Sequence, residues 1–377
     1  MRRNRFLGAF LVALVCAGAS PSARPAAAQA GWSLPGSLRL MATTGLEYQR
    51  YTFSEPSVLG ARSISVYAVP LDAALPLVGR SRLEFHGAYA SGTLNRADGT
   101  RTTLSGLTDS QLRVSLPIGD DRMGATLQAV ALLPTGRETL TSQEADLAGI
   151  LASDLLSFPI VDWGSGGAVG LDLSGARAVG RGSVGLGASY LVARQYQPLS
   201  EFHYRPGNQT RLQLAADQNV GPTSKLTLAL QYEHFDTDER DGTNLYRAGD
   251  RYQAMGSFAF AVGPASSVIL YAGGIQRGAG AALVDGVPVY PRQQLLLVGS
   301  GGRVRAGRVT LVPRIDFRRV NSSGDLPDGY VPSAGGSVEL PLGRLVLSAG
   351  ARGQFGKVGS SDASGVSYSL TLRSPLR

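Results

Sequence analysis

Cysteine, histidine and lysine are almost missing from these 377 residues: one Cys16, three histidines (His86, His203 and His234), and two lysines, Lys225 and Lys357, among 36 basic residues. With Cys16 so close to the N-terminus, the body of the chain has no partner for a disulfide and no thiolate for a metal site. Three histidines leave few candidates for an imidazole base, and none stands in an H-x-S arrangement. Beyond the first thirty residues there is also no apolar run of the roughly 20 residues that a membrane-spanning helix needs. Strong charge of one sign is lacking too. The formal excess is +8, and half of it belongs to Arg2, Arg3, Arg5 and Arg24, so composition does not point to nucleic acid as a partner.

The N-terminus accounts for the one apolar run. Basic residues from Met1 to Arg5 precede an apolar stretch from Phe6 to Ala17, and Ala26-Ala27-Ala28-Gln29-Ala30 closes it with an A-x-A site. That order predicts a secretory signal peptide over residues 1–30, cleaved after Ala30, and one mature domain over 31–377.

What the chain has in abundance is alternation. Leu38, Leu40, Ala42, Thr44, Leu46 and Tyr48 are interleaved with Arg39, Met41, Thr43, Gly45, Glu47 and Gln49, and the two-residue period recurs to the C-terminus. Each such strand has one apolar and one polar face. Hydrophobic residues make up 43% of the chain and 49 glycines are scattered through it. Strands of this kind, joined alternately by tight turns and longer connections, predict an all-β, antiparallel, up-and-down transmembrane β-barrel with its polar face inward. Tight turns fall at 78–80, 119–121, 180–182, 219–222, 263–264, 306–308 and 342–344. Longer connections fall near 54–60, 94–106, 134–165, 195–208, 236–249, 279–291, 321–331 and 357–364. Seven turns and eight loops give sixteen strands, or fourteen if one pair is merged.

The alternation assigns side chains to faces. Leu83, Phe85, Leu112, Val114, Leu212, Leu214, Leu228 and Leu230 fall on the apolar face. Glu84, His86, Arg113, Arg211, Glu233, Arg314, Asp316, Arg318 and Arg352 fall on the polar, lumen-lining face. A slip of one residue would turn those arginines into the bilayer, at roughly 2–4 kcal/mol each near its midplane. Tyr48, Tyr51, Tyr89, Tyr190, Tyr196, Tyr232 and Tyr252 read as an aromatic girdle at the loop-side rim.

The connection 134–165 departs from the pattern. Thr141-Ser142-Gln143-Glu144 fits a capping box, and Leu147, Ile150, Leu151, Leu155 and Phe158 recur at helical spacing before Pro159. This predicts one short amphipathic helix in an external loop. It either folds into the mouth as a constriction lined by Leu147, Ile150, Leu151 and Leu155, or caps the rim. The acidic run from His234 to Gly242 misses the calcium-loop spacing because Arg240 stands at a ligand position, so no metal and no cofactor is expected. A solvated loop is the expectation there.

Two pieces of sequence carry a family likeness. Ser105-Gly106-Leu107-Thr108-Asp109, followed by a strand, a turn, a strand and Leu132-Leu133-Pro134-Thr135-Gly136, resembles the MetA-pathway phenol-degradation family of outer-membrane proteins. Tyr204-Arg205-Pro206-Gly207-Asn208 is similar to a second pattern of that family. The resemblance covers roughly residues 75 to 240. It implies a bacterial outer-membrane channel, related to hydrocarbon and fatty-acid channels, for passive uptake of small apolar or aromatic solutes. Outer-membrane lipids and the assembly machinery would be its partners. The sequence departs from the pattern of the fatty-acid channels in having only Gly31 to Gly36 before the first strand, where those channels carry a folded hatch, and Leu370 to Arg377 lack the terminal aromatic residue typical of outer-membrane proteins. Two other readings of the charged inner face stay open: a general porin for small polar or anionic solutes, and a structural barrel whose lumen is filled. An enzyme is not expected.

Overall fold

The computed structural model describes residues 41–56, 60–119, 123–160, 163–284, 290–323 and 327–374. The expected signal peptide over residues 1–30, with Cys16, as well as Leu38 to Leu40 and the last three residues, lie outside them.

Sixteen staves close on themselves. The first eight are β1 (Met41–Phe53), β2 (Ala61–Pro76), β3 (Arg82–Arg96), a stave made of β4 (Arg101–Leu107) and β5 (Ser110–Gly119), β6 (Met123–Leu133), β7 (Ala168–Val179), β8 (Gly182–Ala193) and β11 (Gln209–Asn219). The rest are β12 (Ser224–Phe235), β15 (Arg251–Ala261), β16 (Ser266–Arg277), β18 (Gln293–Ala306), β19 (Val309–Ser322), β20 (Gly329–Leu342), β21 (Leu345–Val358) and β22 (Ser361–Arg373). Every stave is antiparallel to its neighbours, and β1 pairs with both β2, at Tyr48↔Tyr67, and β22, at Tyr48↔Tyr368. Closure leaves no row of unpaired backbone groups at an edge.

All seven tight turns join staves at one end of the barrel. Gly180 and Gly343 open two-residue turns at φ +57° and +62°, the left-handed geometry that matches the strand twist when glycine comes first. At the other end two of the expected long loops shrink. Strands run on to Arg96 and resume at Arg101, and β21 and β22 are joined by two residues, so 94–106 and 357–364 are mostly strand.

The stave made of β4 and β5 changes register by one residue, from Tyr89↔Leu107 to His86↔Gln111. The extra residue is a bulge. Thr108, at the break, donates from both its N–H (2.8 Å) and its hydroxyl (3.2 Å) to the Ala88 carbonyl.

Three of the long connections are themselves folded. The short strands β9 (Tyr196–Leu199), β10 (Phe202–Arg205), β13 (Thr237–Arg240), β14 (Thr243–Arg247) and β17 (Ala281–Ala282) form a separate sheet in the order β17-β14-β13-β10-β9. The acidic run is therefore a hairpin rather than an open loop. Asp241 and Gly242 turn it at φ +49° and +79°, as Asp-Gly favours. Its acids hold neighbouring segments: Asp238 accepts from the Tyr204 hydroxyl and from Gly207 N–H (2.7 Å), Glu239 pairs with Arg205, and Asp241 accepts from His203 N–H (2.9 Å).

The helix α1 spans Ser142–Leu151. Thr141 caps it, with Glu144 N–H donating to the Thr141 hydroxyl at 3.3 Å and Thr141 N–H to the Glu144 carboxylate at 2.9 Å. The expected helical run through Leu155 and Phe158 stops short, because Ala152 N–H closes the last turn on Ala148 and the chain then turns away. Leu155 and Phe158 are nonetheless buried with the helix in one cluster.

Candidate functional site: the inner wall and the segment in its mouth

Cross-strand registers separate the two faces of the wall. Outward side chains include Leu171, Leu186, Leu228 and Leu230, each about half exposed or more. The inward rows carry the charges.

On one side of the barrel, Glu84 and Arg113 are register partners on β3 and β5 with 3.8 Å between them, and His86 pairs with Asp72 of β2 at 2.8 Å. Further round, Arg211 donates to Glu233 at 3.0 Å, and Arg251 approaches the other carboxylate oxygen at 3.6 Å. Glu233 is 2% exposed and also accepts from Gln231 at 2.7 Å. A carboxylate this buried requires such compensation. Lys225 and Asp217 form a pair at 2.7 Å on the same face.

On the opposite side, Arg314, Asp316 and Arg318 lie along β19 and Arg352 on β21. Asp316 receives all three arginines, at 3.3 Å from Arg314 Nε, 3.7 Å from Arg318 Nε and 3.4 Å from Arg352 Nη2. Toward the turns, Glu339 is held between Arg303 (2.5 Å) and Arg373 (3.1 Å). The nine charged residues expected on the inner face thus stand in two groups, with Glu84, His86, Arg113, Arg211 and Glu233 apart from the four around Asp316. Arg251, Asp72, Glu339, Arg303 and Arg373 complete these networks and were not singled out from the sequence, although the same period-two reading reaches each of them.

The connection 134–165 lies inside the barrel, at the loop end. Leu147, Ile150, Leu151 and Leu155 are buried in a cluster with inward-facing Ile64, Val66, Leu94, Leu104, Val320 and Val331. Inside this part of the wall the polar face is therefore apolar. A hint stands in the sequence of β2, where residues of both parities from Ile64 to Val69 are mostly apolar. Small residues make room for the segment: a Cβ on Gly92 would meet Leu151 Cδ1 at 2.8 Å, and one on Gly329 would collide with Leu155.

Polar contacts fix both ends and the middle. Thr135 donates to the Thr108 carbonyl at 2.7 Å, and the Asp109 carboxylate accepts from Gly136 N–H at 3.0 Å and from Ser165 N–H and hydroxyl at 2.5 and 2.6 Å. Arg96 on β3 pairs with Asp146 of α1 at 2.9 Å. The Leu156 carbonyl accepts from Gln49 Nε2 (2.9 Å) and the Tyr51 hydroxyl (3.1 Å) of β1. Burial pushes the Asp146 carboxyl up, only partly offset by Arg96. Partial burial also pushes Glu144 up, but hydrogen bonds from Thr141 and Arg137 outweigh it and leave that carboxyl below its usual value.

Two members of the expected girdle face elsewhere. Tyr51 is three residues from outward-facing Tyr48, hence of opposite parity, and is fully buried against Phe158. Tyr196 belongs to β9 and packs edge-on against Tyr204. Tyr48, Tyr89, Tyr190, Tyr232 and Tyr252 stay on the outer face, and Tyr67, Tyr330 and Tyr368 join them.

No family model matches the chain, and no curated protein matches it. Among solved structures, an outer membrane channel from Pseudomonas putida F1 aligns over 77% of this chain and all of its own, at 14% identity and TM-score 0.41. A bacterial polysaccharide outer membrane secretin covers 89% of this chain and 99% of its own at 9% identity and TM-score 0.44, and a mutant of the porin from Rh. blastica covers 88% and 100% at 11% and 0.36. At such identities and scores these likenesses carry no argument, and the barrel stands on its own strand pairings.

Proposed function

We propose that this protein is an outer-membrane channel for passive diffusion of small solutes, its mouth narrowed by the inward segment 134–165. The observation that carries this reading is the polarity of the closed wall. Its outside presents exposed leucine rows with a tyrosine rim, while its inside presents paired charges. A protein dissolved in water gains nothing from turning its apolar face out, whereas in a bilayer that arrangement satisfies lipid outside and water inside. Sixteen staves also enclose more space than side chains alone fill.

Small apolar or aromatic molecules are the solutes this reading favours. The support is the likeness of residues 105–109 and 132–136 to the phenol-degradation family; Leu147, Ile150, Leu151 and Leu155, expected to line the constriction, instead turn to the wall and are buried there, so they hold the segment in place rather than line the path. The test is single-channel conductance of the refolded mature chain in planar bilayers, with and without residues 138–158. Ohmic steps that grow on deletion support a channel narrowed by this segment. Silence in both forms overturns an ion-permeable channel and favours a filled barrel.

A further inference from the structure

The charges around Asp316 do not balance. Arg314, Arg318 and Arg352 converge on that one carboxylate, whose side chain is 1% exposed. Glu339 is occupied by Arg303 and Arg373. Even counting Glu47, one inward row below on β1, positive charge remains in excess. Arg318 is 5% exposed, and its Nε, Nη1 and Nη2 make no hydrogen bond of good geometry, with Asp316 3.7 Å from Nε and the Tyr51 hydroxyl beside the guanidinium. A buried guanidinium so weakly answered is costly, which adds to the excess of positive charge here.

Two inward rows nearer the turns, Arg352 Nε likewise makes no hydrogen bond, and there the cluster meets the interior. Arg314 and Arg352 occupy one inward row, on either side of Gly335 of β20. The strand between them therefore carries no side chain there, and a Cβ on Gly335 would press against Arg352 Cβ at 2.8 Å and against the Ala351 carbonyl. Arg314 is half exposed and Arg352 about a quarter exposed to the interior. Arg314 is steadied by Tyr271, whose hydroxyl accepts from its Nε at 3.0 Å and whose ring lies under its guanidinium. Tyr271 and Asp316 sit in successive positions of one row, with Gly299 between them.

We propose that the arginine cluster over Gly335 binds one oxyanion group, the carboxylate of a small organic solute, so that the molecules this barrel admits carry a negative head. Planar guanidinium forks match a carboxylate in two parallel hydrogen bonds. Asp316 keeps the three arginines from dispersing, and it neutralises only one of them. The proposal rests on the channel reading for its meaning, but binding itself does not require conduction.

The experiment is saturation-transfer NMR on the acetate methyl with the refolded mature chain in detergent, competed with inorganic phosphate, and run beside the bilayer measurement. A saturable acetate signal is expected, and the Arg314→Gln/Arg352→Gln pair should weaken it at least about tenfold, the size of one lost hydrogen bond between charged groups. Arg303→Gln, outside the cluster, should leave it within about twofold. Weak competition by phosphate marks a carboxylate site; full displacement at lower phosphate than acetate overturns the carboxylate assignment in favour of a phosphate site. Absence of a saturable signal, or one unchanged by the double substitution, overturns the oxyanion site altogether. Acetate binding without conductance would uphold the site and remove the channel; conductance without acetate binding would do the reverse.

Discussion

The Asp109 carboxylate, at the break between β4 and β5, accepts two hydrogen bonds from Ser165: 2.5 Å from its N–H and 2.6 Å from its hydroxyl. Wall and inward segment are thereby joined where the segment returns to β7. Gly136 binds the same carboxylate at the segment's outgoing end, so one side chain clasps both ends of the excursion. Asp109→Ala is expected to cost about 2–4 kcal/mol locally, from bonds to a charged acceptor, without opening the barrel. Limited proteolysis of the refolded protein should show faster cutting within 138–158 at unchanged heat-modified gel mobility; equal cutting rates would show that the clasp is dispensable.

Space matters as much as the clasp. Even a Cβ on Gly92 would meet Leu151 Cδ1 at 2.8 Å, and Gly92→Phe leaves the helix nowhere to dock. Larger single-channel steps, close to those of the 138–158 deletion, are the expected result. A conductance equal to that of the unaltered protein would mean that α1 does not narrow the path.

Acidity should act on docking in two opposed ways. Asp146 has its carboxyl raised when docked, so its contribution favours docking below the usual carboxylate range and is lost as pH rises through the raised value. Glu144 has its carboxyl lowered, so its contribution is present above the usual range and is lost as pH falls through the lowered value. Docking should therefore tighten on mild acidification and loosen under stronger acid. Arg96→Met removes the partner that offsets Asp146 and should enlarge the first effect. Hydrogen exchange of α1 against pH reads this directly, and a profile that only loosens with acid would contradict it.

Face polarity gives a fourth expectation. Leu228 points outward and Thr227 inward near the middle of β12. Leu228→Arg should destabilise the barrel in lipid vesicles by roughly 2–4 kcal/mol, whereas Thr227→Arg should cost far less. Urea unfolding in vesicles compares them, and equal losses would mean that the outer face does not meet a bilayer midplane.

Much of this was legible residue by residue. Alternation has a strict period of two, so one anchored parity carries along an entire strand, and Arg314, Asp316, Arg318 and Arg352 share a face without any knowledge of their neighbours. Turn chemistry is equally local: Gly180 and Gly343 stop strands where they stand. The capping box at Thr141 and Glu144 is a four-residue matter and forms as read. Tyr51 was mistaken because residue type was weighed over parity, and the outer sheet was missed although Asp241-Gly242 signals a hairpin.

By itself, then, the sequence determined the strands of the wall and their faces, and their number to within one pair, since these follow from local periodicity and from short turns. Tertiary structure alone decided that segment 134–165 turns inward, that Gly92 and Gly329 cradle it, and that three arginines from two staves meet one aspartate. Those outcomes depend on which strands lie side by side once the wall closes, and on the space left inside it, quantities that no stretch of consecutive residues encodes.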